Sequence, residues 1–365
     1  MTQNTSKHIR IGIDGRALQA KLSGGNVGGV TRYTTELCQV LDRNLPNAEF
    51  FVYTTKHLDF TIPSNRWVIR KPNNVSSNFI KASIWLRYLA QFWIKTDKLD
   101  IFWGSATLLP KILNNNIKLI TTVYDLCHLY APETMSLQNK VSHYLFFKSS
   151  IKEADSISTI SNGTAKKLKS HFGIQNMNVT KPRVRHSLIE TLHSEVEPIK
   201  EQFLLSVGTL EPRKNIASLL KAFTILKKDP EFNDLKLYVA GAQGWKSSAL
   251  YQELLETKDV KLLGFASDQE LVRLYKSAYA FIFPSLYEGF GMPVMEASAC
   301  GATVIASDIE EIREAGDANT IYIRPTPEEI VKAVETIKFK IHQYNSRQPV
   351  NELDGQSFVD LFKLA

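Results

Sequence analysis

The chain has 365 residues, 44% of them hydrophobic and 22% charged, a globular composition at a length that exceeds one ordinary hydrophobic core, so two domains are expected. Its net charge of +7 is unevenly shared: residues 1–190 carry 25 Lys+Arg against 12 Asp+Glu (+13), and residues 191–365 carry 19 against 25 (−6). The three cysteines, Cys38, Cys127 and Cys300, lack the spacing of a metal site or redox pair and read as reduced and buried, while no apolar run has signal-peptide or membrane-span character, which points to the cytosol.

Short β-branched runs alternate with helical patterns along the whole chain. In the first half the runs are IRIGID (9–14), FFVYTT (50–55), DIFW (100–103), IKLITTVYD (117–125) and SISTIS (156–161). Their continuous hydrophobicity fits strands buried on both faces of a parallel sheet. A second series follows: FLLSVG (203–208), LKLYVAG (235–241), VKLLG (260–264), AFIFP (280–284), ATVIAS (302–307) and TIYI (320–323). Helical patterns fall at 30–44, 78–96, 215–228, 268–279 and 291–300, so each half reads as a doubly wound α/β domain. The expected division is 1–185, a linker over 186–200 with Pro198 and mixed charge, 201–345, and a helical tail over 346–365 packed back on the first domain.

Open α/β sheets bind ligands beyond the carboxyl ends of their strands. After the first strand, Gly24, Gly25, Gly28 and Gly29 precede a helix starting near Val30; such a turn suits an anion, and equally suits a plain surface loop. It is neither a P-loop nor a dinucleotide fingerprint. After FLLSVG, Arg213 and Lys214 stand at the mouth of a helix capped by Asn215, where cations oppose the helix dipole and therefore require an anionic partner such as a diphosphate. After AFIFP, Glu288 is followed by Gly289, Phe290 and Gly291, then by a helix carrying Glu296 among apolar neighbours, so Glu296 should be partly buried and partnered. A carboxylate is suited to accept two hydrogen bonds from vicinal hydroxyls, so each glutamate can hold one sugar ring. No D-x-D metal motif is evident; Asp308-Ile309-Glu310 reads as a helix start.

VGTLEPRKN, the GW of AGAQGW, VKLLGFASDQELVRLYKSAYAFIFPSLYEGFGMPVMEASACGATVIASD and EAGDAN together resemble retaining glycosyltransferase family four, over about residues 9–325. The resemblance implies GT-B architecture: two facing Rossmann-like domains with an interdomain cleft, the first for the acceptor and the second for a nucleotide sugar. It implies that Glu296 holds the donor ribose, and that Glu288, with Gly289 and the amides of Phe290 and Gly291, holds the donor sugar. Arg213 and Lys214 would bind the diphosphate, Lys214 also stabilising the departing charge. Leu263, Gly264 and Phe265 would lie by the base, and Gly28 and Gly29 would approach a phosphate across the cleft. Thr209 stands where many relatives have arginine. Tyr124 stands where many have a histidine before Asp125, which leaves Asp125 to orient sugar or acceptor hydroxyl, or merely to cap the following turn; Asp14 and His128 are placed on the acceptor side.

The implied reaction retains the anomeric configuration and needs no metal or other cofactor. The general look of IGIDGRAL, VYDL and LEPRKN is similar to bacterial mannosyltransferases of surface-polysaccharide assembly, which favours GDP-mannose as donor over UDP-sugars. The segment SSNFIKASIWLRYLAQFWIK carries Ile80, Ile84, Trp85, Leu89, Phe92 and Trp93 with Lys81, Arg87 and Lys95, and either packs on the sheet or lies on an anionic membrane. A glycan or lipid-linked acceptor at the inner face of a membrane suits the basic half, and no nucleic-acid partner is expected. Two other readings stay open: a non-catalytic nucleotide-sugar-binding partner, and an epimerase of the same fold.

Overall fold

A computed structural model of the chain describes residues 8–19, 28–58, 60–72, 79–112, 116–135, 137–194, 196–337 and 355–363. Gly24 and Gly25, the side chains of Ile80 and Lys81, and positions 346–354 of the expected tail lie outside the described residues. Two compact units emerge, one from residues 8–126, 137–181 and 355–363, the other from 127–135 and 182–337.

The first unit runs β1 (Ile9–Asp14), α1 (Gly29–Asn44), β2 (Ala48–Tyr53), β3 (Trp67–Arg70), α2 (Phe79–Ile84), a π-helical turn (Trp85–Leu89), α3 (Gln91–Thr96), β4 (Ile101–Gly104) and β5 (Lys118–Val123). After the short α4 (Cys127–Tyr130), which belongs to the second unit, it resumes with α5 (Leu137–Glu153), β6 (Ser156–Thr159), α6 (Asn162–Phe172) and β7 (Met177–Val179). The strands form one parallel sheet in the order β3-β2-β1-β4-β5-β6-β7. β3 and β7, outside the runs read from the sequence, form the two edges of this sheet, with mixed burial in the first and half-buried residues in the second.

The second unit runs α7 (His186–Leu192), β8 (Phe203–Val207), α8 (Ile216–Leu226), β9 (Lys236–Ala240), α9 (Ser248–Glu256), β10 (Val260–Gly264) and α10 (Asp268–Ser277). It continues with β11 (Ala280–Phe283), α11 (Met292–Ala299), β12 (Val304–Ser307), α12 (Glu310–Arg313), β13 (Ile321–Ile323) and α13 (Pro327–Ile337). Its parallel sheet has the order β10-β9-β8-β11-β12-β13. In chain order that is 3-2-1-4-5-6, the doubly wound arrangement whose crevice opens beyond β8 and β11, where the order reverses. The core joins Leu204, Leu237, Val239, Ile282 and Ile305 of the strands to Leu219, Leu220 and Phe223 of α8 and Ile330 and Val334 of α13.

Two expectations change here. The span 186–200 is not a plain linker, because α7 occupies its start and packs on α10. The pattern over 78–96 is not one helix: the backbone N–H of Ala90 donates to the carbonyl of Trp85 at 2.9 Å, five residues back, and the extra residue re-phases the faces on either side. Trp85, Leu86 and Ile94 enter the core, whereas Leu89 and Phe92 stand 63% and 75% exposed. Arg87 is buried and donates to both Glu153 carboxylate oxygens at 2.6 Å and to the Leu109 carbonyl at 3.0 Å. In the described part of the tail, α14 (Gln356–Asp360) belongs to the first unit, where Phe358 meets Trp103 edge-on at 5.0 Å.

Candidate active site

The loops after β8 and β11 meet at the switch point of the second sheet. β8 ends in Gly208, and the chain passes through Thr209 into a 3₁₀ turn over Pro212–Lys214. Asn215 then takes φ 55°, a left-handed conformation asparagine tolerates better than most residues. It occupies the cap position of α8, but its side chain makes no cap bond. Instead its amide nitrogen donates to the carbonyls of Pro284 and Pro325 at 3.1 and 2.8 Å, and its oxygen accepts from Ser218 at 2.8 Å. Together with Leu286 N donating to the Arg213 carbonyl at 2.8 Å, this ties the two loops together.

The loops so joined bring three predicted residues into one cluster. Arg213 and Lys214 each reach one oxygen of Glu288 at 2.6 Å, and Arg213 also donates to Glu211 at 2.7 Å and to the Tyr287 carbonyl at 3.0 Å. The anion that these cations meet is therefore a protein carboxylate. Glu288 is buried, which pushes its carboxyl up, but the charges of Arg213 and Lys214 outweigh that cost and hold it at about 2. It is an anion throughout the neutral range. Phe290 is buried, and Gly291 caps α11 at φ 105°, a conformation that bars ordinary side chains and turns the chain sharply behind Glu288.

Glu296 lies just over one turn into α11, 7% exposed. Its partner is Arg185, a residue the sequence pattern offers no reason to select, since the two are 111 positions apart. Arg185 Nε donates to Oε1 at 3.1 Å, its Nη2 lies 3.0 Å from the same oxygen, and its Nη1 pairs with Asp268. At the end of β10, Gly264 takes φ 64° while Leu263 and Phe265 remain 37% and 53% exposed, leaving an apolar lip three residues before Asp268.

The first-unit candidates divide differently. Gly28 caps α1 and Gly29 opens it. Asp14 is fully buried and gripped by Arg16, whose Nε and Nη2 donate at 3.0 and 2.7 Å. Arg16 is thus the partner of the carboxylate expected on the acceptor side. The Tyr124 hydroxyl bonds Thr34 at 2.8 Å, and burial pushes its ionisation well up. Asp125 has a histidine in its electrostatic neighbourhood after all: His143 of α5, pushed down by burial and by Arg16 and pulled up by Asp125. His128 belongs to the second unit, unlike Asp125; in that segment Tyr130 stacks on Tyr287 at 5.5 Å and Trp245 donates to the Thr134 carbonyl at 2.7 Å. All three cysteines are free and buried, and among the described residues no group of three His, Cys, Asp or Glu is arranged to hold a metal ion.

Two family models match in tandem, "Glycosyltransferase Family 4" over residues 27–182 and "Glycosyl transferases group 1" over residues 190–347. The chain belongs to the family-four glycosyltransferases. It is 30% identical to O-antigen chain mannosyltransferase B of Escherichia coli over 63% of each chain, just under two thirds of that relative's length. It is 26% identical to O-antigen chain mannosyltransferase RfbU of Salmonella typhimurium over 87% of this chain and 90% of the other. Sucrose-phosphate synthase from Thermosynechococcus elongatus, at 18% identity, superposes over 90% of this chain and 89% of its own with a TM-score of 0.69, a likeness of fold. The GT-B fold and two Rossmann-like units follow. Arg185 and His143 lie outside the quoted motifs and become visible only once distant segments are brought together, whereas Glu211 and Asp268 sit inside VGTLEPRKN and VKLLGFASDQEL without a role evident from the pattern.

Proposed function

We propose that the protein is a retaining hexosyltransferase that moves mannose from GDP-mannose to a glycan or lipid-linked glycan acceptor in surface-polysaccharide assembly, at the cytoplasmic face of a membrane. The observation that carries this reading is the Arg213–Glu288–Lys214 cluster at the switch point of the second sheet, with Glu296 following on α11. The mannosyltransferase relatives support the choice of sugar and acceptor class. On donor binding, the two phosphates take Arg213 and Lys214 from Glu288, and the freed carboxylate, with the amides of Phe290 and Gly291, accepts the sugar. Glu296 accepts the ribose hydroxyls, and Leu263 to Phe265 cover the base. The acceptor oxygen bonds to the anomeric carbon on the face from which the nucleoside diphosphate departs. The bond to the phosphate breaks, and the acceptor proton passes to a departing phosphate oxygen. Arg213 and Lys214 stabilise the charge built up there. Asp125, in the first unit, orients the acceptor.

The same reading gives the first unit a membrane contact. α2 and α5 touch, Ser83 and Ser142 lying 3.5 Å apart. Between them, the π-helical turn and α3, these elements leave Ile84, Tyr88, Leu89, Phe92, Leu137, Val141, Tyr144 and Leu145 exposed. The exposed Lys95, Lys148 and Lys152 extend that apolar surface, in the half of the chain whose balance is +13. An apolar surface edged by lysines fits an anionic lipid bilayer. No helix among the described residues is long and apolar enough to cross a membrane.

The test is a donor panel of GDP-mannose and UDP-hexoses, with a lipid-diphosphate glycan as acceptor, scored for released nucleoside diphosphate and sugar transfer. GDP release with mannose transfer is expected. Release from a UDP-sugar alone overturns the donor assignment. Nucleotide binding without release from any donor replaces the enzyme with a non-catalytic binding partner, and donor isomerisation without acceptor identifies an epimerase.

A further inference from the structure

Arg185 has no role in the chemistry described above, yet it is the cation that holds Glu296. The guanidinium is nearly buried, with 11% of the side chain exposed, and it spends its donors asymmetrically. Nε donates to Oε1 of Glu296 and Nη2 lies 3.0 Å from the same oxygen without a hydrogen bond to it, while Nη1 pairs with Asp268. Asp268 is itself held by Ser187, whose hydroxyl donates to its other oxygen at 2.5 Å. Among the described residues, Oε2 of Glu296 has only a long contact of 3.4 Å from the Tyr275 hydroxyl. A carboxylate offers about four lone-pair directions, so this one retains acceptor capacity after its structural partners are counted. The planar guanidinium fixes the rotation of the carboxyl plane, which a lysine, with its point charge, would leave loose.

We propose that Arg185 is a positioning residue for donor binding: it holds the Glu296 carboxylate in the orientation that accepts both ribose hydroxyls, and through Asp268 ties it to the base-side loop ending at Phe265. This rests on the reading of Glu296 as the ribose ligand. The titratable groups around Glu296 are Arg185 ahead of α7, Asp268 and Tyr275 on α10, and Cys300 just past α11, itself within the field of Lys276. Removing Arg185 takes away the one cation seen bonding to that carboxylate among the described residues.

The experiment measures binding of GDP and UDP, each as the ribo- and the 2′,3′-dideoxy form, to the full chain and to Arg185→Met, Arg185→Lys and Glu296→Gln. Whichever ribonucleotide binds wild type should exceed its dideoxy form by about tenfold or more, as expected for hydrogen bonds to a charged acceptor. Arg185→Met should lose most of that preference, while its affinity for the dideoxy form stays within about twofold. Arg185→Lys should fall between wild type and Glu296→Gln, and it decides the matter where Arg185→Met does not fold. A full ribose preference in both Arg185 variants overturns the proposal. A full preference in Glu296→Gln overturns instead the assignment of ribose to Glu296, so the two failures are distinguishable.

Discussion

Replacing Glu288 by glutamine keeps the side chain's shape and removes its charge, leaving Arg213 and Lys214, whose side chains are only 16% and 13% exposed, facing a neutral amide. A carboxyl held at about 2 against an ordinary 4.5 corresponds to about 3 kcal/mol of stabilisation when ionised in both states. Because the native value is the lower one, the stabilisation is complete above about pH 4.5 and is lost as the pH falls through 2. Glu288→Gln should therefore be less stable than wild type by about 3 kcal/mol at pH 7, and the gap should shrink to roughly half by pH 3. Calorimetry of the full chain at pH 7, 4.5 and 3 measures it, with the transition of the second unit marked by its shift on adding nucleotide. A gap of the same size at pH 7 and pH 3, or none at pH 7, would refute the reasoning, since either outcome means the two cations do not depress this carboxyl. Transfer should fall in the same variant because the amide accepts less well from the sugar.

Gly241 sits at φ 147°, and a Cβ there would lie 2.0 Å from the carbonyl oxygen of Gly208. Gly241→Ala should push back the loop carrying Thr209 and destabilise the protein on the order of 3 kcal/mol, read by urea denaturation; a wild-type midpoint would show that the backbone yields freely. Burial pushes the Cys38 thiol up, and pushes Cys300 up to about 12. Both should resist iodoacetamide at pH 8 in the folded protein and react fully in urea, as mass spectrometry would record; alkylation at the rate of a free thiol contradicts the burial. Leu89→Ser with Phe92→Ser should cut binding to phosphatidylglycerol vesicles about tenfold or more without changing the melting temperature, and binding of the wild type should weaken with salt. Equal binding of the double variant would remove the apolar surface from the membrane reading.

Much of the fold follows from local pattern. Runs such as AFIFP have no polar face, and a strand without one must be covered on both sides, so a parallel sheet between helices is implied before any coordinates. The glycine turn and the eight-residue spacing of Glu288 and Glu296 are likewise local, because one turn and one helix position both. What the pattern loses is whatever depends on an edge or on a long-range partner. β3 and β7, the two edges of the first sheet, lie outside the runs read from the sequence. α5 has almost no amphipathic periodicity, since it presents Leu137, Val141, Tyr144 and Leu145 outward while Phe146, Phe147 and Ile151 face the core.

For the site, the sequence by itself singled out the residues proposed to bear the chemistry, since a cation pair at a helix mouth and carboxylates on a glycine turn are legible one segment at a time. Only the tertiary structure decided how they are paired. It joins Arg213 and Lys214 to Glu288 across 75 and 74 positions, turns Arg185 toward Glu296 across 111, and commits Asp14 to Arg16. The physical reason is that a buried charge must find its counter-ion wherever the fold delivers one, and chain separation places no limit on that choice.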